Sequence, residues 1–213
     1  SAGPEKAFEE FTNGKSFKDR DLYIFVYDLT GKCVAHGANA KLVGKDLIGA
    51  GVSVKVVPKA KDPVAKVGEP APRVETDTLA SVGGDKALLD TRRPFDDMHG
   101  VSFKDAVGKK PVALLFATPQ LCQSRVCGPV VDIAAELKAK YGDRVTFIHQ
   151  EVYKDNDVAK GLRKPLQAFG LPTEPWLFVV GTDGKVVERL EGSFGLNAFE
   201  AALQSALKKE EAP

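Results

Sequence analysis

Two cysteines, Cys122 and Cys127, are separated by four residues where an apolar run gives way to a helical pattern. The run Val112 to Ala117 is continuously apolar, the signature of a strand buried on both faces. Ser124 is placed to cap a helix reaching to about Tyr141. A thiol at a helix N-terminus meets the positive end of the macrodipole, which favours thiolate, and thiolate is the species that attacks a disulfide. Arg125, between the two cysteines, supplies a cation that stabilises a thiolate at either position.

Two other readings compete for this pair. A structural disulfide across so short a loop restricts the unfolded chain by only about 2 kcal/mol. Two thiolates with an imidazole suit copper, but His99, in the polar stretch Asp96-Asp97-Met98-His99, and His149, on a strand, have no ligand spacing. His149 reads first as a satisfied strand histidine, His99 as a loop cap, and His36 as part of a hairpin. Cys33 reads as a small buried hydrophobe, with an intermolecular disulfide as the alternative. Trp176 reads as core with one edge near the cysteines. The expected site contains no cofactor and no resident metal.

The elements around the pair alternate. Strands are expected at Val112–Ala117, Val145–Val152, Trp176–Val180 and Val186–Leu190, and helices at Phe103–Val107, Ser124–Tyr141, Val158–Phe169 and Asn197–Leu207. Thr182 to Lys185 forms the turn of a closing hairpin. Upstream, Lys55 to Pro72 holds four prolines among lysines and reads as an extended linker. Before it, Glu5–Thr12 reads as a helix. Leu22–Tyr27 and Cys33–His36 read as a hairpin, with a third strand at Gly51–Val57. The resulting division is 1–57, a linker at 58–72, a domain at 73–209 and a tail at 210–213. Fewer than sixty residues is marginal for an independent fold, so the first part is expected to rest on a partner surface, including a second copy of the chain.

Composition narrows the function. The chain has 213 residues, 43% of them hydrophobic and 28% charged, enough to build a core without staples. The net charge of +1 gives no reason to expect nucleic acid or an anionic membrane as a partner. No apolar run reaches the roughly 20 residues of a membrane-spanning helix. The start at Ser1-Ala2-Gly3 suits a mature product whose signal peptide has been removed, and equally an expression scar.

From about Val67 to Lys209 the chain resembles a thioredoxin-like domain. The resemblance rests on the buried strand leading to a cysteine pair and on Lys140-Tyr-Gly-Asp followed by Val145-Thr-Phe-Ile-His. It rests also on Phe169-Gly-Leu-Pro-Thr-Glu-Pro-Trp and on the closing Gly184-Lys-Val-Val-Glu-Arg-Leu-Glu-Gly. It implies a three-layer α/β/α fold, with Pro175 as the cis-proline that faces the sulfurs and shapes a substrate groove. It implies thiol–disulfide exchange on protein thiols or disulfides outside the cytoplasm, with Cys122 attacking and Cys127 resolving. Three features depart from the family. Four residues rather than two separate the cysteines, Leu121 stands where tryptophan is usual, and Ala113, Leu114 and Leu115 leave the strand without its buried acid. A cysteine pair ahead of a proline is also similar to Sco-type copper chaperones.

Residues 5–57 resemble a truncated Cache domain, an extracytoplasmic sensor module. The matching segments are Phe11-Thr-Asn-Gly, Asp21-Leu-Tyr-Ile-Phe-Val-Tyr-Asp, Ala35-His-Gly-Ala-Asn and Leu42-Val-Gly-Lys-Asp-Leu, with Gly49-Ala-Gly-Val as the closing strand. A small α+β segment in front of the larger domain is the expected architecture. The alternative function is a non-enzymatic binding or assembly protein with a locked disulfide.

Overall fold

The computed structural model describes residues 4–14, 18–19, 22–23, 25–28, 32–36, 40–45, 62–122 and 125–211. The chain divides into two compact units, Ser1–Lys61 and Asp62–Pro213.

In the first unit, α1 (Pro4–Asn13) turns Ala7, Phe8 and Phe11 to one half-buried side. The run Leu22–Tyr27, expected as one strand, serves two ribbons. Strand β2 (Leu22–Tyr23) pairs with β1 (Lys18–Asp19), whereas β3 (Phe25–Tyr27) pairs with β4 (Cys33–His36). Cys33 and Ala35 point into the core of this unit and are fully buried. The strand expected at Gly51–Val57 lies outside the described residues.

The second unit is built on a four-stranded sheet. Strand β5 (Val112–Phe116) lies between a parallel β6 (Thr146–Gln150) and an antiparallel β7 (Trp176–Val180), and β8 (Val186–Glu191) closes the edge against β7. Alternation along the strands divides the core in two. Ala113, Leu115, Leu177 and Val179 face α3 (Cys127–Tyr141) and α5 (Leu196–Glu211). Val112, Leu114, Phe116, Phe178 and Val180 face α2 (Phe103–Ala106) and α4 (Lys164–Phe169). Helices therefore cover both faces of the sheet, which is why β5 and β7 are apolar at every position. This is the thioredoxin-like three-layer α/β/α arrangement.

Phe178 is the pivot of the second layer, with ring centroids 4.8 Å from Phe169, 5.9 Å from Trp176 and 6.1 Å from Phe116. Phe178→Ala is expected to cost about 3–5 kcal/mol, read as a lower urea midpoint.

Three local expectations change. The helix expected over 158–169 begins only at Lys164, because Gly161 (φ 73°) breaks the preceding turn at Val158–Lys160. Part of the expected linker is structured: Val64 and Ala71 are buried, and the amides of Ala65, Gly68 and Ala71 donate to the carbonyls of Phe169, Val186 and Gly184 at 3.0, 2.8 and 2.9 Å. Its apolar residues take up core surface that the prolines alone would leave bare. Helix α3 starts at Cys127 with Val126 in the N-cap position, which makes no side-chain capping bond; Ser124, the expected cap, lies outside the described residues.

Candidate active site

Strand β5 delivers the chain to a tight turn that sets the first cysteine. Thr118, fully buried, accepts hydrogen bonds at its carbonyl from the amides of Leu121 (3.2 Å) and Cys122 (3.0 Å). Arg125 then adopts a left-handed conformation (φ 58°) and donates its amide to the Cys122 carbonyl at 3.3 Å. That reversal brings Cys127, the first residue of α3, back to Cys122. The two form a disulfide with Cα atoms 6.1 Å apart. Cys122 in the loop keeps 8% of its surface exposed; Cys127 has none. The Arg125 side chain is exposed.

The strand contains no acid, as its residues require, but the site does. The Glu174–Pro175 peptide is cis, and a Glu174 carboxyl oxygen gathers with the sulfurs of Cys122 and Cys127, all within 4.8 Å of one another. The nearby backbone and side chain of Thr118 favour the charged carboxylate, though less than burial opposes it. Its Oε2 is buried and makes no hydrogen bond. Burial, reinforced by the charge of Glu151, pushes the Glu174 carboxyl up to about 7 from 4.5. Sequence reasoning sought an acid on β5 and missed one on the loop before β7. The signal was the Glu-Pro pair itself: the residue before the proline expected to face the sulfurs must lie beside them too.

The raised value has a consequence for stability. Between pH 4.5 and about 7 the folded chain holds a proton that the unfolded chain has lost. Stability from the protonated carboxyl is complete below 4.5 and falls as pH rises through 7. Glu174→Gln is expected to remove that slope, leaving stability little changed at pH 4 and raised at pH 8. The gain is on the order of 1 kcal/mol once solvent screening of a partly exposed group is allowed for. Urea unfolding of the oxidised chain at both pH values measures it.

The other candidate residues sort away from the sulfurs. Trp176, expected to touch the cysteines with an edge, belongs to the opposite core layer. Its ring stacks on Phe178 and its Nε1 donates to Thr173 Oγ1 at 3.0 Å, because the neighbouring Leu177 takes the cysteine side of the strand. His149 is fully buried on β6. His99 is buried rather than a loop cap, its ring centroid 5.1 Å from that of His149. Both imidazoles gather with Asp90 and Asp96, not with Cys122 and Cys127. The Asp96 carboxylate takes His149 Nδ1 at 2.7 Å. Burial opposes a charge on His149, but the hydrogen bond and charge of Asp96 outweigh it and lift the imidazole to about 9. The Cys33 thiol is pushed up by burial and lies 3.5 Å from the Ala35 carbonyl, so it is a poor nucleophile. His36 ends β4, within the expected hairpin.

With this geometry in hand, known proteins add little beyond the fold. No family model matches the chain, and no curated protein does. Solved structures are similar over part of the chain. A thiol:disulfide interchange protein of the thioredoxin family from Chlorobium tepidum is 17% identical, with a TM-score of 0.46, over 67% of this chain and 98% of that one. The MTB protein dsbF, in mixed oxidised and reduced forms, is 15% identical with a TM-score of 0.44, over 63% and 96%. A thioredoxin-like protein in its oxidised form is 15% identical with a TM-score of 0.44, over 58% and 98%. At that identity and overlap they decide nothing about this chain's chemistry.

Proposed function

We propose that the second unit is a thiol–disulfide oxidoreductase in which Cys122 attacks, Cys127 resolves and Glu174 moves the proton. The observation that carries this reading is the half-buried Glu174 carboxyl beside both sulfurs, one of its oxygens buried without a hydrogen bond. A staple has no use for such a group, whereas exchange needs a base to make thiolate and an acid to protect the leaving sulfur. In the reducing direction the Cys122 thiolate attacks one sulfur of a substrate disulfide. One substrate thiolate departs and a Cys122–substrate disulfide forms. Glu174 takes the Cys127 proton, Cys127 attacks Cys122, and the second substrate thiolate leaves with that proton. The substrate gains two electrons and the pair is oxidised. The oxidising direction is the reverse. Pro175 borders the groove that receives the substrate strand, and Arg125 lends positive charge at its mouth.

Protein thiols or disulfides are the proposed substrates, and an extracytoplasmic compartment is the setting in which such a pair cycles. No helix among the described residues is long and apolar enough to cross a membrane. The Cache-like reading of residues 1–57 and a homo-oligomer built through that segment rest on the sequence resemblance and on the small size of the part. Copper binding at the sulfurs is the weaker reading: their third neighbour is a carboxylate, a hard donor poorly matched to Cu(I). The test is exchange with a fluorescently labelled disulfide substrate, where steady turnover in the presence of a small thiol supports the reading and its absence, with the pair intact, refutes it.

A further inference from the structure

Away from the sulfurs, four ligating side chains converge between a loop and strand β6. Asp90, Asp96 and His99 come from the loop and His149 from the strand, and their donor atoms all lie within 4.8 Å of one another. All four side chains are at least nine-tenths buried. His99 Nε2 is buried and makes no hydrogen bond, although it points into the group, 3.2 Å from Asp96 Oδ1 and 4.0 Å from Asp90 Oδ2. The ring nitrogen faces two carboxylates without a well-formed hydrogen bond to either, an arrangement open to a shared ligand.

His149 is oriented as metal-binding imidazoles are. Its Nε2 lies 2.9 Å from the Ala117 carbonyl, which can only accept, so that nitrogen carries hydrogen and Nδ1 is aimed at the group. Asp90, Asp96 and the neighbouring Glu151 are buried together; the basic groups facing the two aspartates are the imidazoles of His149 and His99, and among the described residues no lysine or arginine forms an ion pair with any of the three. Arg92, the nearest in sequence, turns instead to Asp132 at 2.5 Å. Tetrahedral Zn²⁺ bonds of about 2.0–2.1 Å set donors roughly 3.3 Å apart; here the imidazole–carboxylate separations are 2.7, 3.2 and 4.0 Å, and all four donors lie within 4.8 Å of one another. A cavity of about 160 Å³, lined by Leu79, Leu89, Asp90, Phe95, Asp96 and His99, gives an ion a way in.

We propose that Asp90, Asp96, His99 and His149 bind one divalent transition-metal ion through nitrogen and oxygen donors. The ion ties the loop carrying residues 90–99 to β6 and offsets the buried carboxylates. Two imidazoles and two carboxylates suit Zn²⁺ or a neighbouring first-row ion, and the site is separate from the redox pair.

The experiment uses the full-length Cys33→Ser chain with the Cys122–Cys127 disulfide formed, so that no thiol is left to take metal. Zn²⁺ is competed against a chromophoric chelator. The expected result is one ion per chain with a dissociation constant below about 1 μM, weakened at least ~100-fold in His99→Ala. Co²⁺ on the same protein is expected to give the visible bands of a four-coordinate N/O site without thiolate-to-metal charge transfer. Should either replacement fail to fold, the Co²⁺ spectrum of the oxidised wild-type chain decides alone. No saturable uptake, uptake indifferent to His99→Ala, or a sulfur-ligand spectrum overturns the proposal.

Discussion

Replacing Cys122 by serine is expected to abolish disulfide exchange outright, while replacing Cys127 arrests it half-way. The asymmetry follows from position. Cys122 sits in the loop with 8% of its surface open, whereas Cys127 is sealed at the start of α3. A substrate sulfur reaches only the first. With Cys122→Ser, nothing accessible attacks, and turnover falls to the uncatalysed level. With Cys127→Ser, the first displacement still occurs but nothing expels the substrate, so a Cys122-linked mixed disulfide accumulates. Intact-mass analysis after incubation with a peptide disulfide reads both outcomes. The reverse pattern, trapping by the Cys127 sulfur in Cys122→Ser, would reverse the assigned roles.

Glu174→Gln is expected to slow exchange at pH 7 by about 10²–10⁴-fold, the usual contribution of a positioned acid or base. Glutamine keeps the shape but neither takes nor gives a proton. The wild-type rate is expected to bend near pH 7, where the carboxyl titrates, and the variant is expected to lose that inflection. The deficit shrinks above roughly pH 8.5, where an ordinary thiol ionises unaided. Stopped-flow rates of the reduced chain against a model disulfide across pH 5–9 test this. Equal rates for both proteins at pH 7 would remove Glu174 from the mechanism.

What the residues announced and what they hid divides along physical lines. Val112–Phe116 and Trp176–Val180 were legible because a strand covered on both faces must be apolar throughout, and so was the β7–β8 hairpin, whose Thr182-Asp-Gly-Lys turn has one natural geometry. The break at Gly161 was harder, since the flanking residues fit a helix and only the positive φ shows otherwise. Residues 62–72 looked solvated because proline and lysine dominate, yet Val64 and Ala71 suffice to seat them. The cysteines themselves were plain. Their acid was not: Glu174 is 47 residues from Cys127 along the chain, and only the sheet order, with β7 beside β5, puts them together. The pairing of His99 with His149 across 50 residues was hidden for the same reason.

The central claim is that the Cys122–Cys127 disulfide is made to be broken. Equilibration of the chain in buffers of defined dithiol–disulfide ratio, with the redox state read by thiol alkylation, gives its reduction potential. A value above about −300 mV, among exchange proteins, is predicted from a short loop that constrains little and an acid placed to serve both sulfurs. A value well below that mark would identify the bond as a structural staple and contradict the account.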